Sequence, residues 1–232
     1  MKLKIPNYPF LKFSLLSKLK KQSLQKNMET NRDHWERIYT TMKSSEVSWW
    51  QENPKTSIEF IHSFHLPKSA KIIDIGGGDS KLVDYLLDEG FENITVLDIS
   101  EHSLNRAKHR LGDKAKKVKW IVSDITEFDP SMEYDLWHDR AAFHFLLTKG
   151  QIRKYLSAAH EAIKGNGYMT IGTFSEKGPD KCSGLDIKKY SETELQDQLE
   201  NGFKKIRCIH EDHFTPFNTT QNFLFCSFRK RI

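Results

Sequence analysis

The stretch that decides the fold is Lys71–Ser80, KIIDIGGGDS. A short apolar run carrying Asp74 stops at three glycines, Gly76, Gly77 and Gly78, which are followed by Asp79 and Ser80. Glycines directly after a buried strand mark a place where backbone comes close to a ligand. Several kinds of nucleotide-like ligand are met in this way, so the flanking sequence must choose among them.

Outward from this stretch, strand-like and helix-like patterns alternate. Residues 70–75, 94–99, 118–125, 134–139 and 168–174 are short apolar runs of strand length. Residues 80–90, 103–112, 151–163 and 192–200 place apolar side chains at helical spacing, and glycines close the first two of these segments. KGNG reads as the stop of the third helix. Strict alternation of this kind predicts a parallel sheet covered on both faces. Residues 203–214 and 221–230 are two further strands joined by TPFNTT, close enough to pair antiparallel. The expected fold class is α/β: a Rossmann-like, doubly wound, mostly parallel seven-stranded sheet. An antiparallel hairpin closes its C-terminal edge, and a helical, aromatic lid precedes it.

The chain has 232 residues, room for one good core with a short appendage. A hydrophobic content of 38% with 29% charge is that of a globular protein. No apolar run reaches the ~18 residues of a membrane span. The net charge of +5 misleads, because residues 1–28 hold seven lysines and no acid; subtracting them leaves −2 for residues 29–232. Nucleic-acid binders carry their basic excess on the folded domain, so nucleic acid is not the expected partner. Residues 1–27 read as a basic tail, either a targeting segment or an extension before the real start at Met28, with residues 28–232 as a single domain. Asn31 or Asp33 is the expected cap of the helix that follows. Cys182, Cys208 and Cys226 form no spaced framework, which suggests a reducing compartment. The expected location is cytoplasmic, with the mitochondrial matrix as the alternative if the tail is a presequence.

Three aspartates identify the ligand. A GxxxxGK[ST] phosphate loop does not fit, because Lys81 stands at the wrong spacing. Lys81 also occupies the third glycine position of GxGxxG. Asp74, just before the glycine turn, would repel phosphate and suits an ammonium group. Asp98 ends the second strand about 20 residues beyond the glycines, where an acid takes ribose hydroxyls; Ile99 follows it. Asp124 ends the third strand, where a carboxylate accepts from an adenine amino group and Ile125 packs on the ring. Ammonium, ribose and adenine in this order describe S-adenosyl-L-methionine.

These segments resemble the core motifs of class I S-adenosylmethionine-dependent methyltransferases over residues 70–174. IDIGGGDS resembles the first motif, with Ser80 in place of a further glycine. VLDIS resembles the ribose motif and SDI the adenine motif. YDLWHDRAAFHFL resembles the fourth strand and its following helix, and IKGNGYMTIGTF the fifth strand. The flanks DHWERIY and EVSWWQENPKTS resemble the aromatic N-terminal segment of small single-domain members, which folds over the cofactor. The resemblance implies a methyltransferase with S-adenosyl-L-methionine bound by Asp74, Gly76, Gly77, Gly78, Asp98, Ile99, Asp124, Ile125 and Asp139.

WHDR, Trp137–Arg140, lies at the carboxyl end of the fourth strand, where open α/β sheets bind ligands. His138 and His144 are the candidate bases, with Asp139 behind them. Trp49, Trp50 and Arg140 are candidate substrate contacts, and a guanidinium in an acceptor pocket favours an anionic group. Tyr39 reads equally well as packing. The pairs His62/His65 and His210/His213 lack a third ligand, so no metal is expected. The expected acceptor is a small molecule, with a protein lysine as the alternative. A nicotinamide-dependent oxidoreductase and a non-catalytic cofactor-binding protein are the rivals from other classes.

Overall fold

The computed structural model describes residues 30–232; the basic tail and Met28 lie outside them. Helix α1 (Asn31–Thr41) is capped by Thr30, not by Asn31 or Asp33. Asp33 is instead the reciprocal partner. Its backbone N–H donates to Thr30 Oγ1 at 3.1 Å, and its carboxylate accepts from Thr30 N–H at 3.2 Å. Helix α2 (Lys55–His62) precedes strand β1 (Lys71–Ile75).

The alternating core follows as α3 (Leu82–Asp88), β2 (Asn93–Asp98), α4 (Glu101–Leu111), β3 (Val118–Val122), β4 (Tyr134–Arg140), α5 (Lys149–Ala162) and β5 (Ile163–Phe174). A two-residue-strand hairpin, β6 (Lys181–Cys182) with β7 (Leu185–Asp186), leads to α6 (Glu192–Leu199). The chain ends in β8 (Phe203–Phe214) and β9 (Thr220–Lys230).

The main sheet has seven strands in the order β3-β2-β1-β4-β5-β9-β8. β1 to β5 run parallel. β9 inserts antiparallel between β5 and β8, so β8 is the edge. Period-two alternation sends successive side chains of β1 to opposite faces. Ile73 and Ile75 pack under Tyr155, Ala159 and Ala162 of α5 and Leu195 of α6. Ile72 packs under Ile61 of α2, Val83 and Leu86 of α3 and Leu104 of α4. Burial on both faces explains why this strand reads as a continuous apolar run.

Three expectations are corrected. The apolar AAFHFLL forms only a single 3₁₀ turn, Phe143–Phe145, in place of a helix after β4. Ala141 has φ +73, and the backbone N–H groups of Ala142 and Phe143 donate to Asp139 Oδ1, so the chain turns away before a helix can propagate. The helix α5 does stop before KGNG, at Ala162, but the fifth strand starts earlier than expected and takes KGNG into it. β5 begins at Ile163, and this segment is taken up by a register irregularity against β4 with Asn166 at φ +65. Finally, Cys208 and Cys226 are joined in a disulfide. The β8–β9 register sets them directly opposite, a pairing that their separation of 18 residues does not disclose. Cys182 is free and buried. No helix among the described residues is long and apolar enough to cross a membrane.

Candidate functional site

The site sits at the carboxyl ends of β1, β2, β3 and β4. After β1 the chain turns through Gly76 (φ +63) and Gly78 (φ +49), conformations that cost other residues strain. The turn is also a crowded one. A Cβ on Gly77 would lie 2.5 Å from Asp74 Oδ2 and 2.7 Å from Val96 Cγ1. On Gly78 it would lie 2.7 Å from Tyr39 Oη and 3.2 Å from Asp98 Oδ2. The glycines therefore let α1, β1 and β2 meet around a narrow cleft.

Two adjoining chambers make up the cleft. One is lined by Trp35, Asp98, Ile99, Asp124, Ile125, Phe145 and Cys182, among others. The other is lined by Trp50, Ser57, Asp74, Gly77, Asp79 and His138, among others. Tyr39, Trp49, Gly76 and Arg140 line both and mark the junction. Gly78 lies beside the cleft, against Tyr39 and Asp98.

Each carboxylate has its own local support. Asp98 is buried and accepts from Ser100 N–H at 2.8 Å. Burial nevertheless pushes its pKa up to about 7, against the downward pull of that bond; nearby Asp79 and Asp74 push the same way. Asp124 Oδ1 accepts from the Thr126 N–H and hydroxyl, both at 2.8 Å, and so shapes the turn that presents Ile125. Asp79 is held by Arg106 Nη2 at 2.9 Å and by the Ser44 hydroxyl at 2.7 Å.

Asp74 belongs to a buried chain of three side chains. Its Oδ1 lies 2.7 Å from His138 Nδ1, and His138 Nε2 lies 2.9 Å from Ser57 Oγ. A carboxylate can only accept here, so Nδ1 carries the hydrogen, and a neutral imidazole then accepts the Ser57 hydroxyl at Nε2. Both ring nitrogens of His138 are thus engaged within the protein. A proton reaching His138 Nε2 would therefore pass through the Ser57 hydroxyl, which lines the same chamber.

Asp139 and His144 are corrected. Asp139 is fully buried and lines neither chamber; it accepts from Ala142 N–H, Phe143 N–H and the Tyr155 hydroxyl, and so ties the end of β4 to α5. His144 stacks on Phe174 with ring centroids 4.4 Å apart and lines neither chamber. Burial, helped by the positive charge of Arg140, lowers its pKa to about 3. The sequence placed Asp139 in the pocket by its position at the carboxyl end of β4, but strand alternation sends it to the face opposite His138 and Arg140, toward Tyr155. His144 lies in the 3₁₀ turn and is buried against Phe174.

Arg140 does reach the cleft. Its Nη1 donates to Trp49 O at 3.0 Å, and its guanidinium lies over the Phe223 ring at 4.9 Å. Nε and Nη2 are buried with no hydrogen-bond partner among the described residues. Burial lowers its pKa to about 10, which leaves it charged at neutral pH.

The lid is stapled down by α4. Glu36 of α1 accepts from Glu101 N–H and His102 N–H at the N-terminus of α4, where a carboxylate is favoured. Arg106 Nη1 donates to Tyr39 O and Met42 O. Trp35 meets Trp49 edge-on at 5.5 Å and Phe145 at 5.1 Å, closing an aromatic wall. Trp35, Asp79, Phe145 and Cys182 were not singled out as site residues in the sequence. Trp35 and Tyr39 stand one helical turn apart, and that spacing was the available signal for a shared face.

Residues 73–169 match the family described as methyltransferase domain. The chain is 26% identical over 117 residues to a mouse (Mus musculus) eEF1A lysine and N-terminal methyltransferase, covering 50% of this chain and 16% of that protein. It is 27% identical over 162 residues to malonyl-[acyl-carrier protein] O-methyltransferase 1 of Ilyobacter polytropus, covering 66% of this chain and 58% of that protein. The chain thus spans less than two thirds of the length of either relative. Among solved structures, the N-methyltransferase NodS of Bradyrhizobium japonicum, in complex with S-adenosyl-L-homocysteine, superposes with a TM-score of 0.67 at 15% identity. That match covers 87% of this chain and 99% of NodS. The 1,6-didemethyltoxoflavin-N1-methyltransferase of Burkholderia thailandensis superposes with a TM-score of 0.62 at 20% identity, covering 99% and 94%.

Proposed function

We propose, from the premise that this chain carries a class I, S-adenosylmethionine-dependent methyltransferase domain, that it methylates a small molecule bearing an anionic group. The observation that carries this reading is the row of strand-end carboxylates beside a cationic junction. Asp74, Asp98 and Asp124 follow one another along the cleft, and Arg140 stands where its two chambers meet.

The residues present fit the cofactor. Asp74, beside the glycine turn, would take the ammonium group, with His138 and Ser57 holding its carboxylate in place. Asp98 would accept the ribose hydroxyls, with Ile99 beside it. Asp124 and Ile125 would meet the adenine. Gly76, Gly77 and Gly78 let Ala142, Asp74 and Tyr39 crowd onto this turn, since a Cβ at any of the three would come within 2.8 Å of one of them. When bound, the cofactor supplies a methyl group on a sulfonium, already an excellent leaving group. The protein's task is then mainly alignment and exclusion of water, which the aromatic wall of Trp35, Tyr39 and Trp49 serves. The stapled lid supports a small acceptor over a protein chain, which needs an open groove.

Similarity to a lysine and N-terminal methyltransferase supports a protein side chain as the second reading. Calorimetry is expected to show binding of S-adenosylmethionine and S-adenosylhomocysteine and none of NADH. Isotope-labelled donor incubated with a small-metabolite fraction and with a protein fraction separates the two acceptors. Label confined to protein would replace the small-molecule reading.

A further inference from the structure

We infer that the methyl-accepting atom is itself an anion, the ionised atom of a small thiol or carboxylic acid, bound against Arg140 and methylated without a general base. This rests on the methyltransferase reading above and deepens it.

Two observations carry it. The first is the guanidinium. Arg140 lines both chambers, uses one nitrogen on Trp49 O, and leaves Nε and Nη2 buried without a hydrogen-bond partner among the described residues. Buried donors left unmade are costly, and an oxyanion or thiolate satisfies them together with the charge. Glu211 is the carboxylate with the largest charge interaction with Arg140, yet it lines neither chamber. It therefore offsets the charge without occupying the cleft.

The second observation is that the nearby titratable groups are each committed elsewhere. His138 has both ring nitrogens engaged, by Asp74 and Ser57. His213 Nε2 bonds Ser48 O, and burial and Arg140 lower its pKa to about 4. His144 is stacked behind Phe174, outside the cleft. Asp139 accepts three hydrogen bonds, Asp79 is held by Arg106 and Ser44, and Asp124 accepts two from Thr126. The Cys182 thiol faces the cleft, but burial raises its pKa to about 11, so it is neutral. Burial likewise holds the Tyr39 hydroxyl protonated. Asp98 and Asp74 lie along the ribose and ammonium of the donor in the reading above.

An amine or alcohol would need one of these groups to take its proton. An anion needs none. Its own electron pair forms the bond to the methyl carbon, and the carbon–sulfur bond breaks with its pair retained on sulfur as a neutral thioether. Charge is conserved, since anion and sulfonium give two neutral products, and no proton changes hands.

The test uses the full chain loaded with S-adenosylhomocysteine and three probes of one shape: thiophenolate, benzoate and benzylammonium. Calorimetry is expected to show binding of at least one anion and none of benzylammonium. Arg140→Gln is expected to weaken the anion by about tenfold or more, the loss of charge-assisted hydrogen bonds, and Arg140→Lys to retain part of the affinity. S-adenosylhomocysteine affinity, measured on each variant, reports whether the fold and donor site persist and should stay within about threefold of wild type. Turnover with labelled donor then decides between thiolate and carboxylate.

The inference is overturned if benzylammonium binds as well as the anions, if no anion binds, or if the variants keep full anion affinity. Parallel weakening of S-adenosylhomocysteine in Arg140→Gln would also overturn it, by placing the guanidinium on the donor. Failure of the wild-type protein to bind S-adenosylhomocysteine would instead sink the methyltransferase reading beneath it.

Discussion

Titration of Asp98 should set the pH dependence of both stability and donor affinity. Burial places its pKa at about 7 in the ligand-free fold, against an ordinary 3.8. In the unfolded chain the carboxyl is charged above about 4; in the fold it stays protonated until about 7. The folded state therefore binds more protons between these values, and stability falls as pH rises through that window. Three pK units correspond to about 4 kcal/mol of destabilisation, fully present above pH ~7 and absent below pH ~4. The ribose hydroxyls of a bound donor would donate to the charged form. Affinity should then rise about tenfold per pH unit below 7 and level off above it, with uptake of donor releasing a proton.

Asp98→Asn removes the titration and keeps one acceptor. It should raise the ligand-free melting temperature at pH 8 relative to wild type and lose that advantage near pH 4. Its affinity for S-adenosylhomocysteine should be weaker and nearly independent of pH. Asp139, raised by burial to about 6, adds its own slope, so the difference between variant and wild type is the quantity to read. Calorimetry from pH 5 to 8, in buffers of different ionisation enthalpy, measures affinity and proton release together. A flat wild-type affinity profile, or an unchanged slope in Asp98→Asn, would refute the argument.

Two further perturbations test the architecture. His138→Ala strands buried Asp74 and Ser57 and should cost about 2–3 kcal/mol in urea unfolding while weakening S-adenosylhomocysteine; Ser57→Ala, which removes one neutral bond, should cost about 1 kcal/mol. Equal costs would contradict the order of the chain. Gly77→Ala drives a Cβ to 2.5 Å from Asp74 Oδ2 and should weaken donor binding by more than about tenfold. Gly90→Ala, at φ +86 with nothing within 4 Å, should cost only about 1–2 kcal/mol of backbone strain and leave affinity intact. If the two glycine variants bound the donor alike, the close approach at Gly77 would not matter to the site.

The alternating sheet, the glycine turn and the strand-end acids were legible in the sequence because they rest on local rules. Short continuous apolar runs make β1 and β2, helical spacing makes α3 and α4, and glycine takes the positive φ at Gly76 and Gly78 without strain. Asp98 ends β2 opposite Val122, and Asp124 follows two residues beyond the end of β3, where it caps the turn that carries Ile125. The tertiary structure decided what each polar side chain faces. Whether His138 is a base or a prop for Asp74 depends on Ser57, 81 residues away, and on β1 lying beside β4. Asp139 faces Tyr155 of α5 by the alternation of β4, and His144 is buried in a 3₁₀ turn that stands where a helix was expected. Cys208 meets Cys226 only through the register of β8 and β9. Periodicity fixes which face of an element is apolar. It carries no information about which distant element will cover that face, and a polar group's chemistry is set by that neighbour.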